Sequence, residues 1–311
     1  MLDPQVKLLL EAMAARGLPP VYTMTPQQAR ESYVLRKALT QPAPPEVGQV
    51  RDHALAGAGK TIAVREYRPA GAGAAALPAL VYLHGGGWTI GNIESHDVLC
   101  RMLCNGAGCA VFSVDYRLAP ESPFPAAYED AREAFLWVAA HGAQLGIDPE
   151  RLAIGGDSAG GNLAAAVCLG LVQAPQRPSY QLLIYPATDQ RAVAPSHAAN
   201  GQGYWLTSEA IEWFRGHYLP DERDYTDWRA SPLLARSHAG LPPAFVLTAG
   251  LDPLRDEGLQ YADALSEAGV AAEYVCFDRQ IHGFITMGLV LREAATAVEL
   301  CSAALRRALA A

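Results

Sequence analysis

A serine sits between small residues in Gly156-Asp157-Ser158-Ala159-Gly160, directly after the apolar run 152–155 and ahead of a helical run. A serine hydroxyl becomes a useful nucleophile only when a base takes its proton, and it must stand on a turn too sharp for bulky neighbours two residues to either side. Glycine at 156 and 160 meets that requirement. A helix starting behind the serine points its N-terminal N–H groups at charge that develops during attack. A second glycine cluster, His84-Gly85-Gly86-Gly87-Trp88, follows the apolar run 79–83. Glycines let the backbone turn N–H groups onto a negative oxygen, as an acyl-transfer intermediate needs. The N–H groups of Gly85, Gly86 and Ala159 are assigned to that oxyanion hole, and His84, which precedes the donors, reads as structural.

Base and acid follow from chain order. When a nucleophile elbow joins a strand to a helix in a wound α/β sheet, the partners come later, as Asp or Glu and then His, each after a strand. His197, His217, His238 and His282 follow Ser158, and only His282 stands just after a strand-like run (272–277) outside an aromatic segment. His282 is therefore the expected base. Asp252, in Gly250-Leu251-Asp252-Pro253 after the run 244–249, is the chosen acid; Asp256, one helical turn on, and Asp189 are the competitors.

These residues need a scaffold. Short β-branched or apolar runs predict strands at 49–53, 62–67, 79–83, 109–114, 152–155, 181–185, 244–249 and 272–277. From the third onward they alternate with helical segments at 95–105, 126–141, 159–172, 254–268 and 294–310, the pattern of a mostly parallel sheet with helices on both faces. Asp3-Pro4 caps an opening amphipathic helix. The alternation breaks at 189–240, an insert rich in Tyr and Trp whose 206–218 stretch reads as a helix capped by Thr207 or Ser208. It is either a lid or a packed excursion. The 311 residues form one domain, 1–311, with a cap from about 1–45 and the insert.

Composition narrows the partners. Half of the residues are apolar, 18% are charged and the net charge is −8, with no Lys/Arg-rich run that would mark a nucleic-acid surface. No apolar run approaches the ~18 residues of a membrane span, and residues 1–17 lack the pattern of a signal peptide, so a cytoplasmic location is expected. Cys100, Cys104 and Cys109 have no zinc-site spacing; they are expected in the core, with no metal.

Taken together, His84 to Trp88, Asp115-Tyr116-Arg117-Leu118-Ala119-Pro120-Glu121, Phe124-Pro125-Ala126-Ala127, Gly155 to Asn162, Asp252-Pro253-Leu254-Arg255-Asp256-Glu257 and His282-Gly283-Phe284 resemble the hormone-sensitive-lipase family of bacterial esterases, of α/β-hydrolase fold. The resemblance implies an eight-stranded sheet under a helical cap. It implies hydrolysis of short-to-medium acyl esters, a small-molecule substrate and no cofactor, with 115–121 structural. Arylformamidase or amidase chemistry on the same machinery is the alternative, and a non-catalytic small-molecule receptor a more distant one, against which His282 speaks. Asp278-Arg279-Gln280 departs from the family pattern and predicts an unusual wall beside His282. Trp88, Tyr185, Leu206, Trp213, Phe214, Ile281 and Phe284, with Tyr204, are candidate pocket walls. The run 272–277, as an edge strand, would offer a surface for a homodimer.

Overall fold

The structure, a computed structural model, describes residues 2–56, 61–73 and 75–310. Its strands are β1 (Gln49–Ala56), β2 (Thr61–Arg68), β3 (Leu77–Leu83), β4 (Ala110–Asp115), β5 (Ile147–Asp157), β6 (Gln181–Ile184), β7 (Ala244–Leu251) and β8 (Ala272–Ile281). The helices are α1 (Pro4–Ala15), α2 (Pro26–Thr40), α3 (Ile93–Ala107), α4 (Ala126–Ala140), α5 (Gly142–Leu145), α6 (Ala159–Gly170), α7 (Pro195–Asn200), α8 (Ser208–Tyr218), α9 (Arg255–Glu267) and α10 (Glu293–Ala308). All eight expected strands form, and they join one sheet in the order β1-β2-β4-β3-β5-β6-β7-β8. β1 and β2 pair antiparallel with their neighbours, and every pair from β3 and β4 onward is parallel. This is the α/β-hydrolase architecture. β8 lies at the edge.

The strand period of two divides the core. Along β3, Val81 and Leu83 join one apolar cluster, while Leu80 and Tyr82 join the other. The first cluster takes Phe135 of α4, Leu163 of α6 and Tyr261 of α9; the second takes Leu103 of α3, Leu305 of α10 and Val6 of α1. The central strands are buried on both faces, so they read as continuous apolar runs instead of alternating ones. Each fully buried Leu or Val adds roughly 1.5–3 kcal/mol of transfer free energy, which is why these runs define the sheet. Cys100, Cys104 and Cys109 are buried in the second cluster.

Local signals agree with the ends of several helices. Asp3 accepts from Gln5 N–H at the start of α1, and Thr207 caps α8. Helix α2 escaped the sequence reading, although Thr25-Pro26-Gln27-Gln28 carries a capping box: Thr25 Oγ1 accepts from Gln28 N–H, and the Gln28 side chain accepts from Thr25 N–H. Among the described residues no helix is long and apolar enough to cross a membrane.

Candidate active site

Parallel pairing brings the chemistry together. Leu83 of β3 pairs with Gly156 of β5, so the glycine loop after β3 and Ser158 after β5 leave the sheet side by side. Leu251 of β7 pairs with Ile281 of β8, so the next residue on each strand, Asp252 and His282, are neighbours although 30 residues apart. All of these groups stand at the carboxyl ends of the strands, where open α/β sheets hold their ligands.

Ser158 has φ 55° and ψ −119°, a strained turn for a residue with a side chain. A Cβ at Gly160 would collide with the Leu83 carbonyl, which is why this position tolerates only glycine. His282 Nε2 lies 2.9 Å from Ser158 Oγ, and His282 Nδ1 lies 2.7 Å from Asp252 Oδ2. Asp252 is fully buried, and its other oxygen accepts from Leu254 N–H at 2.9 Å. The Tyr185 ring packs 4.6 Å from the imidazole. The competing acids are engaged elsewhere: Asp189 holds Arg191 through both oxygens, and Asp256 binds Arg255 and the Ser196 N–H. Such a chain can move a proton from hydroxyl to imidazole and hold the resulting cation.

The glycine loop corrects one assignment. Gly85 N–H donates to Asp157 Oδ1 at 2.9 Å, and Gly85 does not line the cavity above Ser158, so its N–H is unavailable to an oxyanion. Gly86 and Gly87 do line that cavity, with φ of 128° and 55°. Neither their N–H groups nor that of Ala159 donates to an acceptor among the described residues. Gly87, whose N–H is unpaired beside the cavity, is a candidate donor outside the sequence-based assignment; its signal is the third glycine of the run.

Asp157 anchors the loop. Its carboxylate takes Tyr82 Oη at 2.8 Å and Gly85 N–H, and His96 Nε2 lies 3.2 and 3.3 Å from its two oxygens. Burial opposes the charge, yet His96 and these hydrogen bonds together hold the carboxyl below its usual range. His84 stacks on Tyr116 at 4.3 Å, and burial, with His96 beside it, lowers its pKa to about 3. Tyr116 Oη donates to the His84 carbonyl and Ala119 N–H to the Trp88 carbonyl, so the 115–121 stretch ties down the loop from outside.

Above Ser158 lies a cavity of about 340 Å³. Of the expected walls, Trp88, Leu206, Phe214 and Tyr204 line it. Tyr185, Trp213, Ile281 and Phe284 do not. Tyr185, Ile281 and Phe284 are buried within the second core cluster, and Trp213 turns onto Phe214 and His217 because adjacent helical residues point about 100° apart. Nor do Asp278, Arg279 and Gln280 make a wall; the Arg279 carbonyl instead accepts from Asp3 N–H at 3.2 Å. The walls that sequence reasoning missed come mainly from the N-terminal segment, among them Met13, Tyr22, Tyr33 and Arg36, together with Trp205.

A strained serine on a strand-to-helix turn, hydrogen-bonded through a histidine to a buried aspartate and facing free N–H groups, defines the serine-hydrolase class of this fold. A family described as alpha/beta hydrolase fold matches residues 80–286. The chain is 42% identical over 293 residues to the carboxylic ester hydrolase LipN of Mycobacterium tuberculosis, covering 92% of this chain and 77% of that one. It is 40% identical over 297 residues to the ethyl acetate hydrolase of Pseudomonas putida, covering 92% of both. Among solved structures, an ester-hydrolase from the metagenome of Lake Arreo, complexed with a derivative of bipyridine phosphonate, superposes with a TM-score of 0.96 at 45% identity over 99% of each chain. The chain belongs to the hormone-sensitive-lipase family of α/β-hydrolase-fold esterases.

Proposed function

We propose that this protein is a carboxylesterase acting on short-to-medium acyl esters, with Ser158 as nucleophile, His282 as general base and Asp252 as the acid that orients it. The observation that carries the reading is the unbroken hydrogen-bond chain from Ser158 Oγ to the fully buried Asp252 carboxylate. Oγ attacks the ester carbonyl while His282 Nε2 takes its proton. The negative oxygen falls to the N–H groups of Gly86, Gly87 and Ala159. His282 then gives the proton to the departing alcohol, the acyl group remains on Ser158, and water releases it by the same route. Asp252 keeps Nδ1 protonated and stabilises the imidazolium. The relatives' names, which speak of ester and ethyl acetate hydrolysis, support the same reaction.

The two segments that line the cavity opposite the sheet, within 1–45 and 189–240, act as its cap. Their contribution is to exclude bulk water and bound the acyl chain, which is the favourable use of apolar walls around a developing charge.

Ser158→Ala should lower kcat on p-nitrophenyl butyrate by roughly 10⁴-fold or more and abolish labelling by a fluorophosphonate. Retention of near-full activity, or labelling of another serine, would remove Ser158 from the reaction. A parallel assay on butyryl p-nitroanilide separates ester from amide hydrolysis.

A further inference from the structure

Helix α2 presents Ala29, Tyr33 and Arg36 to the cavity at positions i, i+4 and i+7. Helical periodicity calls for apolar groups on such a stripe, and the third of these is a guanidinium. It lies 5.5 Å from the centre of the Trp205 ring, on which it stacks. Its Nε is buried and has no hydrogen-bond partner, and no carboxylate among the described residues forms an ion pair with it. Burial pulls its pKa below the usual arginine value.

The cavity's own carboxylates are committed elsewhere. Asp157 is held by His96, Tyr82 and Gly85; Asp189 is held by Arg191; Glu257 is held by His197 and the Thr188 N–H. Nearly two turns earlier on the same helix, Arg30 binds Glu121 and the carbonyls of Thr89 and Ala119. The fold therefore satisfies the arginine on the neighbouring face and leaves the one facing the cavity without a counter-charge. Trp205 also stands against Gly283, the residue after His282: its indole nitrogen is 3.7 Å from where a Gly283 Cβ would be. Arg36 is one ring away from the catalytic machinery.

We propose that Arg36 receives a carboxylate carried by the substrate away from its scissile bond, so that the favoured esters are anionic: half-esters of dicarboxylic acids, or acyl esters of hydroxy acids. This rests on the ester-hydrolase reading of the same cavity. A planar guanidinium held by a ring takes a carboxylate through paired hydrogen bonds, and low local polarity strengthens them. A neutral ester leaves this half-buried group without a counter-charge.

The test compares kcat/KM within two pairs of equal shape. One pair is the monoethyl ester of adipic acid against its monoamide counterpart, with the charge on the acyl side. The other is the acetate ester of γ-hydroxybutyrate against its primary amide, with the charge on the alcohol side. The charged member of at least one pair should be preferred by roughly tenfold or more. Arg36→Gln should bring that ratio close to one and Arg36→Lys should keep part of it; the pair that responds tells which half of the ester reaches Arg36. Ethyl butyrate serves as reference. If ethyl butyrate is not hydrolysed by the unaltered protein, the esterase reading fails. If it is hydrolysed while neither pair shows a preference, or the preference survives Arg36→Gln, the Arg36 proposal is overturned. Should Arg36→Gln lose activity on every substrate, the unaltered protein decides: a charge preference that declines as salt screens it supports the proposal, and one indifferent to salt overturns it.

Discussion

At the carboxyl ends of β5, β7 and β8, main-chain pairing holds each reacting side chain within one or two residues of a strand end. Across the cavity the walls come from α1, α2 and the insert around α8, which join no strand ladder and are held by side-chain contacts and a few main-chain bonds, such as Asp3 N–H to the Arg279 carbonyl. The first region is overdetermined: moving Asp252 would require Leu251 to leave Ile281. The second depends on contacts such as the stack of Trp88 on Tyr218 at 4.4 Å and the Arg30–Glu121 pair. On the proposed function, the reaction belongs to the sheet and the choice of substrate to parts that can change without disturbing it.

The comparison breaks most visibly at the acid. Asp252→Asn should lower kcat by roughly 10⁴-fold, because the amide favours the wrong imidazole tautomer, while Asp189→Asn and Asp256→Asn retain most activity. Similar activity in all three would mean that the buried contact to His282 is not the one in use. On the wall, the effect should be smaller and selective. Phe214 faces Gly87 and the cavity, whereas its neighbour Trp213 does not line it. Phe214→Ala should move the ratio of kcat/KM for hexanoyl over acetyl p-nitrophenyl esters toward the longer chain by roughly tenfold, and Trp213→Ala by less than about twofold. Equal shifts would erase the distinction between them.

The smallest effect belongs to the attachment of wall to sheet. Arg30, through its hydrogen bond, draws the Glu121 carboxyl down to about 2 from an ordinary value of 4.5. A lowered folded-state pKa adds stability above the unfolded value, and that stability is lost as pH falls from about 4.5 through about 2. The Glu121 side chain is 59% exposed, so screening limits the contribution to about 1 kcal/mol or less. Glu121→Gln should lower the denaturation midpoint slightly at pH 7 and much less near pH 2, as urea titrations at both would record. An equal loss at both values would assign the effect to packing instead of charge.

How much could be read in advance follows the same division. Eight strands, the elbow and the residues that meet Ser158 were legible because apolar runs, glycine spacing and chain order are local properties that parallel pairing converts directly into position. Helix α2 was legible in principle through its capping box, yet its apolar periodicity is interrupted by Arg30 and Arg36, and so the element that brings Ala29, Tyr33 and Arg36 to the cavity went unread. Of the aromatic residues in the insert, nothing in their types separates Phe214, which faces the cavity, from Trp213, which does not.

The sequence by itself singled out Ser158, His282 and Asp252 as candidates and the sheet that brings them together, because each stands next to a strand whose register follows from its own pattern. Only the tertiary structure decided which glycine N–H groups are free. Gly85 and Gly86 are equivalent as letters, but the buried Asp157 carboxylate, held by Tyr82 and His96 from other elements, takes the N–H of Gly85 and leaves those of Gly86 and Gly87 unpaired beside the cavity. The same holds for Arg36, whose lack of a counter-charge is a relation among α2, the insert and the sheet that no single segment contains.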